Sequence, residues 1–240
     1  MASLFQAAQD LLFPPLCLGC SRRLAHSRPP LFCAECQQKL VFISSPLCSS
    51  CGTPFTTGVD HLCSNCLLQQ YAFDLARSLF LYQPPSDALI LPLKFGGQLG
   101  GLPTLSALMA HWPHQKDFTT PDYILPVPLH ARRLRQRGFN QALLIAQACF
   151  PGWRNKIRPS LLIRRQETIP QAQLSGKERR SNLKKAFDLK TELHGKSILV
   201  VDDVFTTGST VNECAKVLKR QGAGRVEVFT LARSVPQLHR

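Results

Sequence analysis

The stretch ILVVDDVFTTGST, residues 198–210, decides the fold. Ile198, Leu199, Val200 and Val201 have the unbroken aliphatic character of a central parallel strand buried on both faces. Asp202 and Asp203 then fall at the expected carboxyl end of that strand, the edge of an open α/β sheet where ligands bind. Thr206, Thr207, Gly208, Ser209 and Thr210 follow as a hydroxyl-rich turn opening a helix. Unpaired backbone N–H groups and the positive end of the helix dipole favour an anion there, and Gly208 lets the backbone approach it closely. This order describes a phosphate-binding turn. Two carboxylates beside a phosphate would repel it, so they need another partner, such as a sugar diol or Mg²⁺, and a sugar phosphate satisfies both halves.

The surrounding pattern supports a parallel sheet. Strands are expected at 74–82, 123–127, 161–164, 198–201 and 226–232, and helices at 87–95, 102–112, 139–150, 177–186 and 210–220. Alternation of this kind implies right-handed βαβ crossovers. Two look-alikes fail. Gly195-Lys196-Ser197 ends like a nucleotide-binding P-loop, but Lys190 stands where the earlier glycine is required, and the tripeptide precedes a strand instead of following one. An acid pair after an apolar strand also fits a Walker B segment or a receiver domain, yet neither accounts for the hydroxyl turn.

At the other end of the chain, eight of the ten cysteines form four CxxC pairs: Cys17/Cys20, Cys33/Cys36, Cys48/Cys51 and Cys63/Cys66. Two thiolates so spaced grip one tetrahedral ion, and a second pair about 12 residues on completes a four-cysteine zinc site. Four pairs make two Zn²⁺ sites. The simplest assignment is sequential, with 17, 20, 33 and 36 on one ion and 48, 51, 63 and 66 on the other; a cross-braced pairing stays open. Four thiolates leave no open position, so both sites read as structural, replacing a core that so short a module cannot build. Disulfides are the alternative, but the opening MASLFQAAQD lacks a basic segment and carries Asp10 where an export signal needs an apolar core. The remaining Cys149 and Cys214 sit in apolar helical contexts and read as packing residues. The zinc module is expected at 1–70 and the α/β domain at 71–240.

No apolar run reaches the ~18 residues of a membrane span, and Leu4, Phe5, Ala8, Leu11 and Leu12 have helical spacing suited to docking on the body. A soluble cytoplasmic protein is expected. The net charge of +14 is unevenly placed: residues 1–120 hold 7 Lys/Arg against 6 Asp/Glu, and residues 121–240 hold 22 against 9. Between His130 and Lys185 there are 14 basic residues and two acids, Glu167 and Glu178, a local +12. A small phosphorylated ligand with Mg²⁺ does not need that excess, whereas nucleic acid could use it; a solvated basic face is the plainer alternative. Within this region LHARRLRQRGFN, residues 129–140, reads as a loop at a strand's carboxyl end, where Arg132, Arg133, Arg135 and Arg137 could clamp pyrophosphate through bidentate contacts or equally meet nucleic acid or solvent. Arg164, Arg165, Gln166, Glu167 and Thr168, with Gln171, Leu174, Ser175, Arg179 and Asn182 beyond, read as a mobile lid or as a nucleic-acid contact.

Residues 198–210 resemble the 5-phosphoribosyl-1-pyrophosphate (PRPP) motif of type I phosphoribosyltransferases. By that resemblance Asp202 and Asp203 bind the ribose hydroxyls and Thr206 to Thr210 the 5-phosphate. Taken with the four CxxC pairs, Lys94-Phe95, PVP with RGFNQ, and the RRQET stretch, the chain resembles the ComF family: competence-associated, type I phosphoribosyltransferase-like proteins with an N-terminal zinc ribbon. The resemblance implies that Arg137, Gly138 and Asn140 lie on the pyrophosphate side, and that residues 71–118 form a variable hood over an acceptor. The implied activity is ribosyl-phosphate transfer from Mg²⁺-PRPP, in the service of natural transformation or DNA utilisation. The implied partners are PRPP, single-stranded DNA and a DNA helicase or other transformation protein. A DNA-handling or helicase-docking factor that keeps the PRPP site as scaffold or sensor is the alternative.

Overall fold

The computed structural model describes residues 14–26, 28–68, 70–96, 99–165 and 186–235. In chain order the regular elements are α1 (Ala34–Gln38), α2 (Ser64–Leu68), β1 (Leu75–Leu81), α3 (Asp87–Leu91), α4 (Leu102–Met109), β2 (Tyr123–Pro126), α5 (Ala131–Arg137), α6 (Gln141–Cys149), β3 (Leu162–Arg164), β4 (Phe187–Leu189), β5 (Ser197–Phe205), α7 (Ser209–Arg220) and β6 (Arg225–Arg233). A π-helical turn, Pro92–Gly96, continues α3. Four strands form a parallel sheet in the order β1-β6-β5-β2, and β3 pairs antiparallel with β4 as a separate ribbon.

Period-two alternation places the aliphatic residues of β5 and β6 in two cores. Leu199, Val201, Phe229 and Leu231 face α3, α4 and α6, while Ile198, Val200, Val226 and Val228 face α7 and the β3–β4 ribbon. Each is fully buried, worth about 1.5–3 kcal/mol per side chain. With helices on both faces, an uninterrupted apolar strand has no solvent side to supply with polar residues. Ser78 of β1 and Thr230 of β6 share a 2.6 Å hydrogen bond inside this packing, so the buried hydroxyls are satisfied.

Edge strand β1 is covered from outside by the cysteine-rich module. The Ile43 amide donates to Leu79 O, the Leu81 amide to Val41 O, and the Ala76 amide to Ser50 O, at 2.7–3.0 Å. The stretch between the two cysteine tetrads therefore acts as an extra strand on an edge that would otherwise expose its backbone. At the opposite edge, the Arg158 amide donates to Ile124 O of β2.

Several expectations change. The strand expected at 161–164 exists as β3 but lies outside the parallel sheet, in a hairpin whose second strand, β4, is three residues long and has no sequence signal. The arginine-rich stretch expected as a loop is helix α5, capped by the His130 side chain at its start and by left-handed Gly138 (φ 79°) at its end. Strand β5 continues through Phe205 and so contains Asp202 and Asp203, because β6 keeps pairing with it as far as Arg233. Strand β1, which lies within residues 71–118, belongs to the central sheet. The helix expected at 177–186 lies outside the described residues except for Ala186, which is not helical. Leu4, Phe5, Ala8, Leu11 and Leu12 are outside them as well.

Candidate functional site

The carboxyl end of β5 gathers cations around an acid pair. Asp203 is buried; one carboxylate oxygen sits 3.2 Å from Lys94 Nζ in the π-helical turn and 3.4 Å from the Gln141 side-chain nitrogen at the start of α6. Arg137 Nη1 donates in turn to Gln141 Oε1 at 3.1 Å. The next carboxylate along the strand, Asp202, lies near Arg164 and Cys214 as well as Lys94. Burial and the neighbouring Asp203 push the Asp202 carboxyl up to about 7, against the opposing pull of the Asp203 amide, Lys94 and Arg164. Each acid also accepts the amide of the following residue, Asp203 N at 2.9 Å and Val204 N at 2.6 Å.

Beyond Phe205 the chain turns through 206–208 into α7. Gly208 occupies the cap position with φ 73°, and a Cβ there would lie 2.4 Å from Cζ of the Phe205 ring, so both the conformation and the space require glycine. Thr207 Oγ1 and Ser209 Oγ are 2.7 Å apart, and the Ser209 amide points at Thr207 Oγ1. Thr206 and Thr207 are exposed, and Ser209 and Thr210 half-buried. Twelve-residue α7 presents its positive end to this turn. Tyr71 donates from its hydroxyl to Thr207 O at 3.2 Å.

Helix α5 divides its arginines. Arg132 and Arg135 face solvent, whereas Arg133 and Arg137 are half-buried. Burial, and then Arg133, lower the affinity of both Arg137 and Arg164 for their protons, while Asp203 acts oppositely on Arg137 and Asp202 on Arg164. The structure thus brings Arg137 towards Asp203 and Arg164 towards Asp202, with Arg133 beside both guanidiniums. Arg164 stacks on Phe187 at 5.4 Å, and Arg165 pairs with Asp188 of β4. Gly138 serves as the α5 cap. Asn140 caps α6, accepting the Ala142 amide at 2.9 Å, and ties back to β2 by donating to Val127 O at 3.0 Å. Gln171 and Arg179 lie outside the described residues. In the sequence Lys94 stands out only as part of the Lys94-Phe95 pair, and Gln141 only within RGFNQ; neither carries a local signal for contact with Asp203.

The metal centres resolve the pairing. Cys17, Cys20, Cys33 and Cys36 form one tetrad and Cys48, Cys51, Cys63 and Cys66 the other, the sulfurs of each within 4.8 Å of one another. Cys20–Cys33 and Cys51–Cys63 sulfur separations of 3.7 Å match the edge of a tetrahedron with Zn–S bonds of about 2.3 Å. Both tetrads therefore fit Zn²⁺, paired sequentially, and none of the ten cysteines is disulfide-bonded. Burial opposes ionisation of Cys17 and Cys48, yet backbone amides, led by Cys33 and Cys63 respectively, bring each thiol down to about 6, while burial pushes the Cys36, Cys63 and Cys66 thiols up. Cys149 and Cys214 are buried, as packing residues should be.

Chemically, the site offers two carboxylates suited to a diol or a divalent cation, a hydroxyl and amide cradle suited to a phosphate, and three guanidiniums and an ammonium suited to a second anionic group. Among the described residues, no helix is long and apolar enough to cross a membrane. Residues 8–67 match the double zinc ribbon domain, and residues 162–237 the phosphoribosyl transferase domain. Competence protein F of Haemophilus influenzae is 36% identical over 228 residues, covering 91% of this chain and 96% of that one. DNA utilization protein YhgH of Escherichia coli (strain K12) is 35% identical over 230 residues, covering 94% and 100%. Competence protein ComFC of Bacillus subtilis is 29% identical over 221 residues, covering 84% of each.

Proposed function

This chain belongs to the ComF family, the family of competence protein F, and we propose that it is a cytoplasmic protein that binds Mg²⁺-PRPP at residues 202–210 and serves DNA utilisation during natural transformation. The observation that carries this reading is the Asp203–Lys94 pair at 3.2 Å, set immediately before the Gly208-capped turn. Lys94 stands where a ligand would meet the carboxylates. Asp202 and Asp203 would accept hydrogen bonds from the ribose hydroxyls, and Thr206, Thr207, Gly208, Ser209 and Thr210 would hold the 5-phosphate. Lys94, Arg133, Arg137 and Arg164 are then left for the pyrophosphate. Mg²⁺ bound with the substrate supplies charge neutralisation on its phosphate oxygens. As the bond from the anomeric carbon to pyrophosphate lengthens, positive charge builds on the ribose beside the carboxylates, and negative charge on the leaving group beside the guanidiniums. Stabilising these two charges lowers the barrier to transfer.

Titration calorimetry of Mg²⁺-PRPP into wild type and Asp202→Asn/Asp203→Asn tests it: binding by wild type, lost in the variant, is expected. Absence of wild-type binding at millimolar PRPP would end the proposal. Because the Asp202 carboxyl titrates near 7 and binding uses the carboxylate, affinity should rise from about pH 6 to about pH 8. A flat profile would remove Asp202 from ligand contact.

A second reading rests on α5, which buries no residue and turns Arg132 and Arg135 to solvent. This face suits the backbone of single-stranded DNA. If PRPP binding fails, DNA handling is the whole task, with a helicase as partner and the turn kept as scaffold or sensor. Arg132→Glu/Arg135→Glu is expected to weaken DNA binding and flatten its salt dependence without changing PRPP affinity.

A further inference from the structure

Two struts run from the second cysteine tetrad to the phosphate turn. The first passes through Arg233, the last residue of β6. The residue is 6% exposed, and its guanidinium donates from Nη1 to Cys51 O at 2.7 Å and from Nη2 to Thr53 Oγ1 at 2.6 Å, with Cys51 Sγ 3.5 Å from Nη2. It also lies over the Phe205 ring, 4.1 Å from the centroid. That ring underlies Gly208 so closely that no Cβ fits between them. The second strut begins just past Cys66. Tyr71 and Phe73 stack at 4.6 Å and both meet Phe205 edge-on, the Tyr71 hydroxyl holds Thr207 O, and the Ala72 amide donates to Asn212 Oδ1 in the first turn of α7. Cys48, Cys51, Cys66, Phe73, Phe205 and Val211 share one buried core.

We propose that Arg233 is a positioning residue for the phosphate turn, and that metal held by Cys48, Cys51, Cys63 and Cys66 and ligand held by the turn stabilise one another through it. The ligand half rests on the reading of residues 206–210 as a 5-phosphate cradle. Every acceptor of the Arg233 guanidinium named above belongs to residues 51–53, a segment that begins at a tetrad ligand and is drawn into place as the tetrad closes. When the knuckle opens, a buried cation loses its partners and must move to water. The Phe205 ring then loses the group pressed on one face, and the turn above it loses its floor. Lysine cannot substitute, because a single ammonium neither spans Cys51 and Thr53 nor stacks on the ring. Among the described residues the first tetrad has no such connection: Gly19 lies against Pro85, and the Leu31 amide donates to Thr104 Oγ1, on the other face of the sheet.

Hydrogen exchange at the Asn212 amide, which donates to Gly208 O, and at the Ala72 amide, which donates to Asn212 Oδ1, read in full-length protein with zinc content measured alongside, tests the proposal. Arg233→Gln retaining two zinc ions is expected to exchange roughly tenfold faster there, with Arg233→Lys close behind and Tyr71→Phe about threefold faster. Coupling is reciprocal, so Mg²⁺-PRPP should slow chelator extraction of the second-tetrad zinc by a similar factor in a Cys20→Ser/Cys33→Ser background, and not when Arg233→Gln is added. Unchanged exchange at these amides in zinc-replete Arg233→Gln would overturn the proposal. If Arg233→Gln does not fold, the charge-retaining Arg233→Lys decides it by the same amides. Failure of wild type to bind PRPP would overturn the functional reading alone, since the exchange comparison needs no ligand.

Discussion

The first tetrad leaves Cys20 exposed and Cys33 half-exposed, and its nearby ion pair, Arg22–Glu35, stands in solvent. The second has Cys48 and Cys51 at 0% and 1% exposure and is gripped by two buried guanidiniums. Arg233 holds Cys51 and Thr53, while Arg77 donates to Ser49 O at 3.3 Å, to Ala76 O at 2.9 Å and from Nε to Asp117 at 2.7 Å. The same local motif, with the same sulfur geometry, thus enters the core on both faces of the sheet, through Cys17 and Cys36 in one case and Cys48, Cys51 and Cys66 in the other, but among the described residues buried guanidiniums tie down the second alone. The difference comes from long-range partners on β1 and β6, and the CxxC spacing carries no trace of it.

That contrast can be broken most directly at the ligands. Cys51→Ala is expected to lower stability by more than ~5 kcal/mol, the whole margin of many domains, and Cys20→Ala by about half that, read from urea midpoints. Equal losses would make the two ribbons equivalent. Next, Arg77→Met should cost about 3 kcal/mol, because it leaves two carbonyls in the packed interior without their donor, its carboxylate partner Asp117 being exposed, while Arg22→Ala should leave the midpoint unmoved. Smallest is the glycine pair. Gly52 has φ 71° and a Cβ there would meet Ala76 O at 2.6 Å, whereas Gly58 has φ 101° and open space around it. Gly52→Ala should therefore cost about 2–3 kcal/mol and Gly58→Ala about 1 kcal/mol in the same assay.

The features legible in the sequence are those whose chemistry is local. Residues 198–210 announce a buried strand, an acid pair and a capped helix because each step is a property of consecutive residues. The strand's true end is hidden: carboxylates look like a stop, but Asp202 and Asp203 satisfy the amides after them and β6 keeps pairing alongside. Helix α5 is hidden because it buries nothing, so no apolar period marks it; its signals are the caps at His130 and Gly138. The zinc pairing is hidden because successive CxxC pairs are almost evenly spaced along the chain, which makes sequential and cross-braced schemes equally reachable. Lys94, Gln141, Tyr71 and Arg233 reach the site or its support from distant parts of the chain, and only the tertiary fold brings them there.

The antiparallel cover on β1 bears on the order of synthesis. β1 and its sheet partner β6 are far apart in the chain: the two hydroxyls they share, on Ser78 and Thr230, are separated by 152 positions. Residues 41–50, which cover the other side of β1, are made just before it. A growing chain therefore has a pairing surface for β1 in place long before β6 leaves the ribosome, and a strand that would otherwise wait with both edges bare waits with one already occupied.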